Sequence, residues 1–439
     1  MPLTALRGAT LSYVADPFEV GLDRAMRYES DAVLVLNDGR IERHGAAGDI
    51  LPALPPDCPV TRYHDAVIMA GFIDAHVHYP QTTIIGAFGE QLLDWLERYA
   101  FPAEERFKDP EWARQVARVY LGENLRHGIT TAMVYGTVFP QSVSVLFEES
   151  ERLGLRTIAG KVLMDRNAPP ALLDTAQRGY DESKALIAAW HGHARSLYAI
   201  TPRFAATSSP EQLELAGALR KAHPGCFVQT HISEQPSEVD WVRRLFPGRA
   251  SYADVYHHYG LLGRGTVLGH GIHLGETELQ LLHRTGTAIA HCATSNLFLG
   301  SGLFDLRRSK AAPRPVHVAI GTDIGAGTTF SMLQTLNETY KVAHVKDYAL
   351  SAGCAFYLAT RGTAVAIGIE DKVGSLAPGL EADLVVLDLH ATPLLRFRMQ
   401  QARNHHEALF LLMTLGDDRA VRATYVAGRL AHDRDAAAD

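Results

Sequence analysis

The chain has 439 residues, 47% hydrophobic and 21% charged, with a formal net charge of −7; this composition suits a globular protein with a sizeable core, and without a Lys/Arg block it offers no surface for nucleic acid. No apolar run approaches the ~18 residues that a membrane span requires, and the opening MPLTALRGATLSY has no long apolar stretch behind basic residues. The expectation is a cytoplasmic protein with no nucleic-acid or membrane partner, in which Cys58, Cys226, Cys292 and Cys354 stay free thiols because no CxxC spacing occurs.

From the N-terminus, Asp31 to Gly45 reads as a β-hairpin: an apolar alternating run, an Asn-Asp-Gly turn, then Arg40 to Arg43. Between about residues 70 and 371 the texture changes to short apolar runs alternating with amphipathic stretches. The runs are Thr130–Gly136, Arg156–Met164, Cys226–Ser233, Thr266–Leu274, Thr287–Cys292 and Val316–Asp323, with helical stretches such as Pro210–His223 and Glu276–Gly286 between them. Strand and helix in alternation imply a parallel sheet covered by helices. About 300 residues of it suit an α/β protein of the (β/α)8 TIM-barrel type, typically ~250 residues plus insertions. Toward the C-terminus, Gly374–Leu389 and Val421–Asp433 return to short strands around Pro-Gly and Ala-Gly turns. Residues 1–69 and 372–439 are thus expected to form one small β-sandwich-like domain, and residues 70–371 the catalytic barrel.

Chemistry in a barrel sits where the strands end. The stretch GFIDAHVHYPQ, Gly71 to Gln81, reads as a buried strand ending in His76 and His78. On a strand, residues i and i+2 share a face, so the two imidazoles converge. A second HxH, His191 and His193, lies in a helical-looking stretch where the same spacing splays the rings, and it reads as a solvated helix end. Three further runs end in polar groups: one in His231 with Glu234 three residues on, one in His270, one in Asp323. Singly each reads as a satisfied core or capping residue. Together they make a borderline-hard N/O donor set suited to Zn²⁺, with iron and manganese left open by the spacing.

This order, HxH, then His with Glu three residues on, then His, then Asp, resembles the amidohydrolase superfamily in its cyclic deaminase branch, and the resemblance covers nearly the whole chain. Five segments are more particularly similar to the guanine deaminase family: His78-Tyr-Pro-Gln81, Trp95–Glu104, Thr201-Pro-Arg-Phe204, His231-Ile-Ser-Glu234 and Ser295–Gly302. The resemblance implies hydrolytic deamination of guanine to xanthine and ammonia. It implies one Zn²⁺ per chain, Fe²⁺ or Mn²⁺ being the alternatives, held by His76, His78, His231 and Asp323. It makes Asp323 the proton acceptor, Glu234 the proton donor and His270 the group that steadies the attacking oxygen. Arg203 and Gln81 would bind the purine edge, Phe204 would cover its plane, and Trp95 would belong to a lid. A purine-binding homodimer is the implied assembly. Where the family commonly has proline, before the Gly of its first strand and after its His-Cys pair, this chain has Ala70 and Ala293.

Other signals read as structure. Gly325-Ala-Gly327 lacks the rest of a phosphate loop and reads as a rim turn. His405-His-Glu407 has no PCxxC downstream, which the other zinc deaminase family requires. Tyr256-His-His-Tyr259 reads as a surface or packing cluster. Two competing readings remain. A sibling hydrolase for another aminopurine or a triazine, such as 8-oxoguanine or ammeline, would share the metal ligands and differ at Arg203, Gln81 and the lid. A non-catalytic scaffold would have lost a ligand or the acid, and none is missing here.

Overall fold

The computed structural model describes residues 3–88 and 92–436. Eight parallel strands follow one another around a barrel: Phe72–His78, Ile129–Tyr135, Arg156–Gly160, Ser196–Pro202, Phe227–Ile232, Thr266–His270, Ala288–His291 and His317–Ile320. Phe72–His78 is buried along its whole length, as a strand covered on both faces must be. The end of the eighth strand meets the first through the backbone: Asp323 N–H donates to His76 O at 2.9 Å and His78 N–H to Ile324 O at 3.2 Å. Asp74 reinforces the seam by accepting from the Thr322 amide at 3.0 Å and from the Thr322 hydroxyl. The barrel is therefore nearly closed.

Helices between the strands start where the local chemistry dictates. Asp109 caps Pro110–Arg126, Ser209 caps Pro210–Ala222 and Ser331 caps Met332–Val345, each accepting from a first-turn amide; in the first two, proline stands at the start, where its missing N–H costs nothing. The fourth strand, Ser196–Pro202, lies outside the apolar runs named above, because Ser196, Tyr198 and Thr201 interrupt the hydrophobic pattern.

The chain ends share a second sheet of seven mostly antiparallel strands. In spatial order these are Arg429–Asp433, Val421–Val426, Leu384–Asp388, Val60–Ala70, Thr4–Tyr13, Met26–Asn37 and Arg40–Ala46. Leu6, Leu34 and Ile41 from one half of this single sheet share a core with Leu384, Val386 and Tyr425 from the other. The expected hairpin is the pair Met26–Asn37 and Arg40–Ala46. Of the stretch Gly374–Leu389 only Leu384–Asp388 is strand, and the helix His405–Leu415 packs against the barrel helix Met332–Val345. Among the described residues no helix is long and apolar enough to cross a membrane, and all four cysteines are free.

Candidate active site at the barrel mouth

Four strand ends bring the expected groups together. His76 and His78 end the first strand, His231 lies in the fifth, His270 ends the sixth, and Asp323 follows the eighth. His78 Nε2 and His231 Nε2 are 3.0 Å apart. Asp323 Oδ1 is 3.5 Å from His76 Nε2 and 3.8 Å from His78 Nε2, and its Oδ2 is 3.8 Å from His270 Nε2. Glu234 Oε2 approaches His270 Nε2 at 3.4 Å. His270 and Asp323 both sit at positive φ, 71° and 51°, a region that non-glycine residues seldom occupy and that costs on the order of 1–3 kcal/mol. The surrounding packing holds them there, aimed at one point.

Donor chemistry tests whether a cation fits. Arg203 O accepts from His231 Nδ1 at 2.6 Å; a carbonyl only accepts, so the ring proton is on Nδ1 and the Nε2 lone pair faces His78. Both ring nitrogens of His76 and Nδ1 of His78 are buried without a hydrogen-bond partner among the described residues. Burial, then the neighbouring His231, holds His76 and His78 well below the usual imidazole range, so they are neutral. Candidate ligand atoms of His76, His78 and His231, and of His76, His270 and Asp323, lie within 4.8 Å of one another. Neutral imidazoles with unshared lone pairs, plus a carboxylate, fit a divalent metal.

Buried carboxyls surround this cluster. Burial raises Glu234 to about 7, against the lowering effect of its Ser301 hydrogen bond. Burial raises Asp323 to about 7 against the nearby His270, and raises Glu238 to about 7 with help from the charge of Glu234. Ser301 Oγ donates to Glu234 Oε1 at 2.9 Å, which leaves Oε2 as the end beside His270.

The remaining expected residues line the same cavity: Gln81, Trp95, Arg203 and Phe204 all face it. Arg203 also forms an ion pair, its Nη1 donating to Glu104 Oε2 at 2.7 Å. Trp95 is buried, its Nε1 donating to Ala87 O at 3.2 Å, and the phenyl ring of Phe204 lies edge-on to Trp241 with centroids 6.0 Å apart. The sites set aside stay apart. His191 caps the end of Ala176–Trp190, His193 faces Glu151 at 3.3 Å, and His405 opens a helix.

Several supporting residues escaped the reading of the sequence. Glu238 accepts from the backbone N–H of Glu234 at 2.8 Å and of Gln235 at 3.2 Å, while Tyr252 donates to it at 2.7 Å. Its signal was present: Gln235 and Glu238 have capping-box spacing ahead of a helix. Asn296 Oδ1 lies 2.8 Å from His270 Nδ1. Tyr256, within the cluster read as packing, donates its hydroxyl to His231 O at 2.8 Å and accepts from Thr230 at 3.0 Å, whereas its neighbours His257 and His258 are exposed. No spacing rule would have singled it out.

Comparison with known proteins agrees with this geometry. The profile of the Amidohydrolase family matches residues 67–431. The chain is 48% identical to the guanine deaminase of Escherichia coli (strain K12) over 436 residues, 99% of this chain and 98% of that protein. A solved structure of E. coli guanine deaminase superposes with a TM-score of 0.96 at 47% identity, covering 98% of this chain and 100% of that one. A guanine deaminase from C. acetobutylicum, solved with bound guanine in the active site, superposes with a TM-score of 0.88 at 27% identity over 98% of this chain and 100% of that one.

Proposed function

This chain belongs to the amidohydrolase family, and we propose that its barrel mouth hydrolyses guanine to xanthine and ammonia. One observation carries the reading: Arg203 and Gln81 face the same cavity as His78, His231, Glu234 and Asp323, which puts recognition of a polar ring beside a hydrolytic cluster. The substrate named for the relatives at high identity and full coverage supports it. The metal is Zn²⁺, which His76, His78, His231 and Asp323 would hold; when bound, such an ion lowers the pKa of a coordinated water toward ~7.

The protein's own groups do the rest. Glu234, raised to about 7 by burial, is a carboxyl that can carry a proton near neutrality. It protonates the ring nitrogen next to the amino-bearing carbon, takes up the proton that Asp323 has drawn from the attacking water, passes it to departing ammonia, and is reprotonated by the adduct's hydroxyl as the carbonyl forms. Asp323 accepts a proton from the attacking water, and His270 hydrogen-bonds the attacking oxygen. Arg203 and Gln81 orient the purine, Phe204 lies along its plane, and Trp95 with the turn that follows it excludes bulk water. Residues 70–371 form the catalytic domain and the two chain ends a composite β domain. The same reading takes the protein as a cytoplasmic homodimer, and a monomer in sedimentation equilibrium would discard the dimer.

The direct test measures metal content and ammonia release with guanine, adenine, cytosine and 8-oxoguanine. Guanine should be the preferred substrate; preference for another ring moves the protein to a sibling activity. Arg203→Ala should lower kcat/KM for guanine by about 10²-fold, since a charge-assisted hydrogen bond is lost and Glu104 is left unpaired. Undiminished discrimination between guanine and adenine in that variant would remove Arg203 from recognition.

Metal uptake should depend on pH with a definite sign. Asp323 titrates at about 7 in the metal-free protein, and only its carboxylate form coordinates, so protons compete with metal below that value. The imidazoles of His76 and His78 are already neutral there and release nothing. Titration calorimetry should therefore find Zn²⁺ affinity weakening by up to about tenfold per unit as pH falls from about 7 to about 5. An affinity that stays constant between about pH 7 and about pH 5 would take Asp323 out of the ligand set.

A further inference from the structure

Glu104, at 1% exposure, sits in the short helix Phe101–Glu105 and bridges the two groups assigned to the purine edge. Its Oε1 accepts from Gln81 Nε2 at 2.9 Å, and its Oε2 accepts from Arg203 Nη1 at 2.7 Å. All three side chains are buried. The Phe101 ring closes the guanidinium in from another side, 5.4 Å from Arg203 Cζ to the ring centroid.

A carboxylate only accepts hydrogen bonds. The amide of Gln81 is consequently fixed with its NH₂ toward Glu104, and its Oε1 is the atom left to the cavity. Among the described residues neither that oxygen nor the remaining N–H groups of Arg203 have a protein partner. The carboxylate also cancels the guanidinium charge, so this end of the cavity has no net charge but keeps a strong donor–acceptor pattern.

We propose that Glu104 is a specificity-determining positioning residue, which makes the cavity present Arg203 donors and the single acceptor Gln81 Oε1 to an uncharged lactam edge, O=C–N–H. The inference rests on the guanine reading of this site. It states what that reading leaves open: how a site with a flippable amide selects a 6-oxo ring over a 6-amino one.

The test uses the full-length, metal-loaded protein with two substrates that carry the same 2-amino group. Guanine offers the lactam edge; 2,6-diaminopurine offers the reverse pattern, a donor where guanine accepts and an acceptor where guanine donates. In Glu104→Gln the amide of Gln81 is free to turn. KM for guanine should then rise about tenfold or more while kcat changes by less than about threefold, and the guanine to 2,6-diaminopurine ratio of kcat/KM should fall at least about tenfold. Metal content should match the parent. Glu104→Asp keeps the charge on Arg203 but is one carbon too short to reach both partners, so it should show the same fall in ratio and serves if the Gln variant does not accumulate. A merely structural role would lower both substrates alike, and an unchanged ratio in the folded variants overturns the proposal. A parent protein that releases no ammonia from guanine overturns the underlying reading and this inference with it.

Discussion

Glu234→Gln should hold metal as the parent does and unfold at the same temperature, yet lose about 10³-fold in kcat for guanine, the scale that general acid–base catalysis contributes. The substitution keeps the size of the side chain and its ability to accept from Ser301 Oγ. It also leaves the backbone in place, because Glu238 grips the N–H groups of residues 234 and 235 independently of the Glu234 carboxyl. What disappears is a transferable proton beside His270. Ammonia release measured across substrate concentrations would separate the kcat loss from any change in KM. Turnover equal to that of the parent would mean that another group donates the proton.

Gly269→Ala should strip the protein of its metal although Gly269 carries no ligand. A Cβ there would stand 2.4 Å from His76 Cε1, 2.8 Å from Nδ1 and 3.0 Å from Nε2. The ring has no room to retreat. On other sides it meets Tyr135 and His231 at centroid distances of 4.9 and 4.7 Å, and a Cβ on Gly321 would already be 2.7 Å from His76 Cβ. Displacing one imidazole by a fraction of an ångström spoils a site whose ligand atoms must converge. Metal affinity should fall by at least about 10²-fold, at the upper end of what misplaced support around a metal costs, and turnover should fall with it. Mass spectrometry of the purified variant reads occupancy directly. Parent-level metal in a folded Gly269→Ala protein would show that His76 is not a ligand.

Much of this arrangement was legible in the order of the residues because its signals are local. Two imidazoles at i, i+2 on an apolar run share a face wherever that run is a strand, and alternation of apolar runs with amphipathic stretches implies parallel strands under helices. The Asn-Asp-Gly turn announced the hairpin Met26–Asn37 and Arg40–Ala46 for the same reason. Misses occurred where the local pattern was diluted, as in Ser196–Pro202, or where an apolar stretch served as turn, as in Gly374–Asp383.

Composition, strand periodicity and motif order were enough to establish an α/β barrel, the ends that form a second sheet, and the imidazoles and carboxyls that its mouth collects. Only the folded chain decided which neighbours those groups meet. Glu104 lies 23 residues from Gln81 and 99 from Arg203. Asp74 reaches Thr322 across 248 residues, and Tyr256 finds the carbonyl of His231 from a helix whose other face is exposed. Contacts of that kind have no periodicity to betray them. They arise when the barrel closes and excludes water, because a polar group cut off from solvent must find its partner in whatever part of the chain the closure has brought alongside.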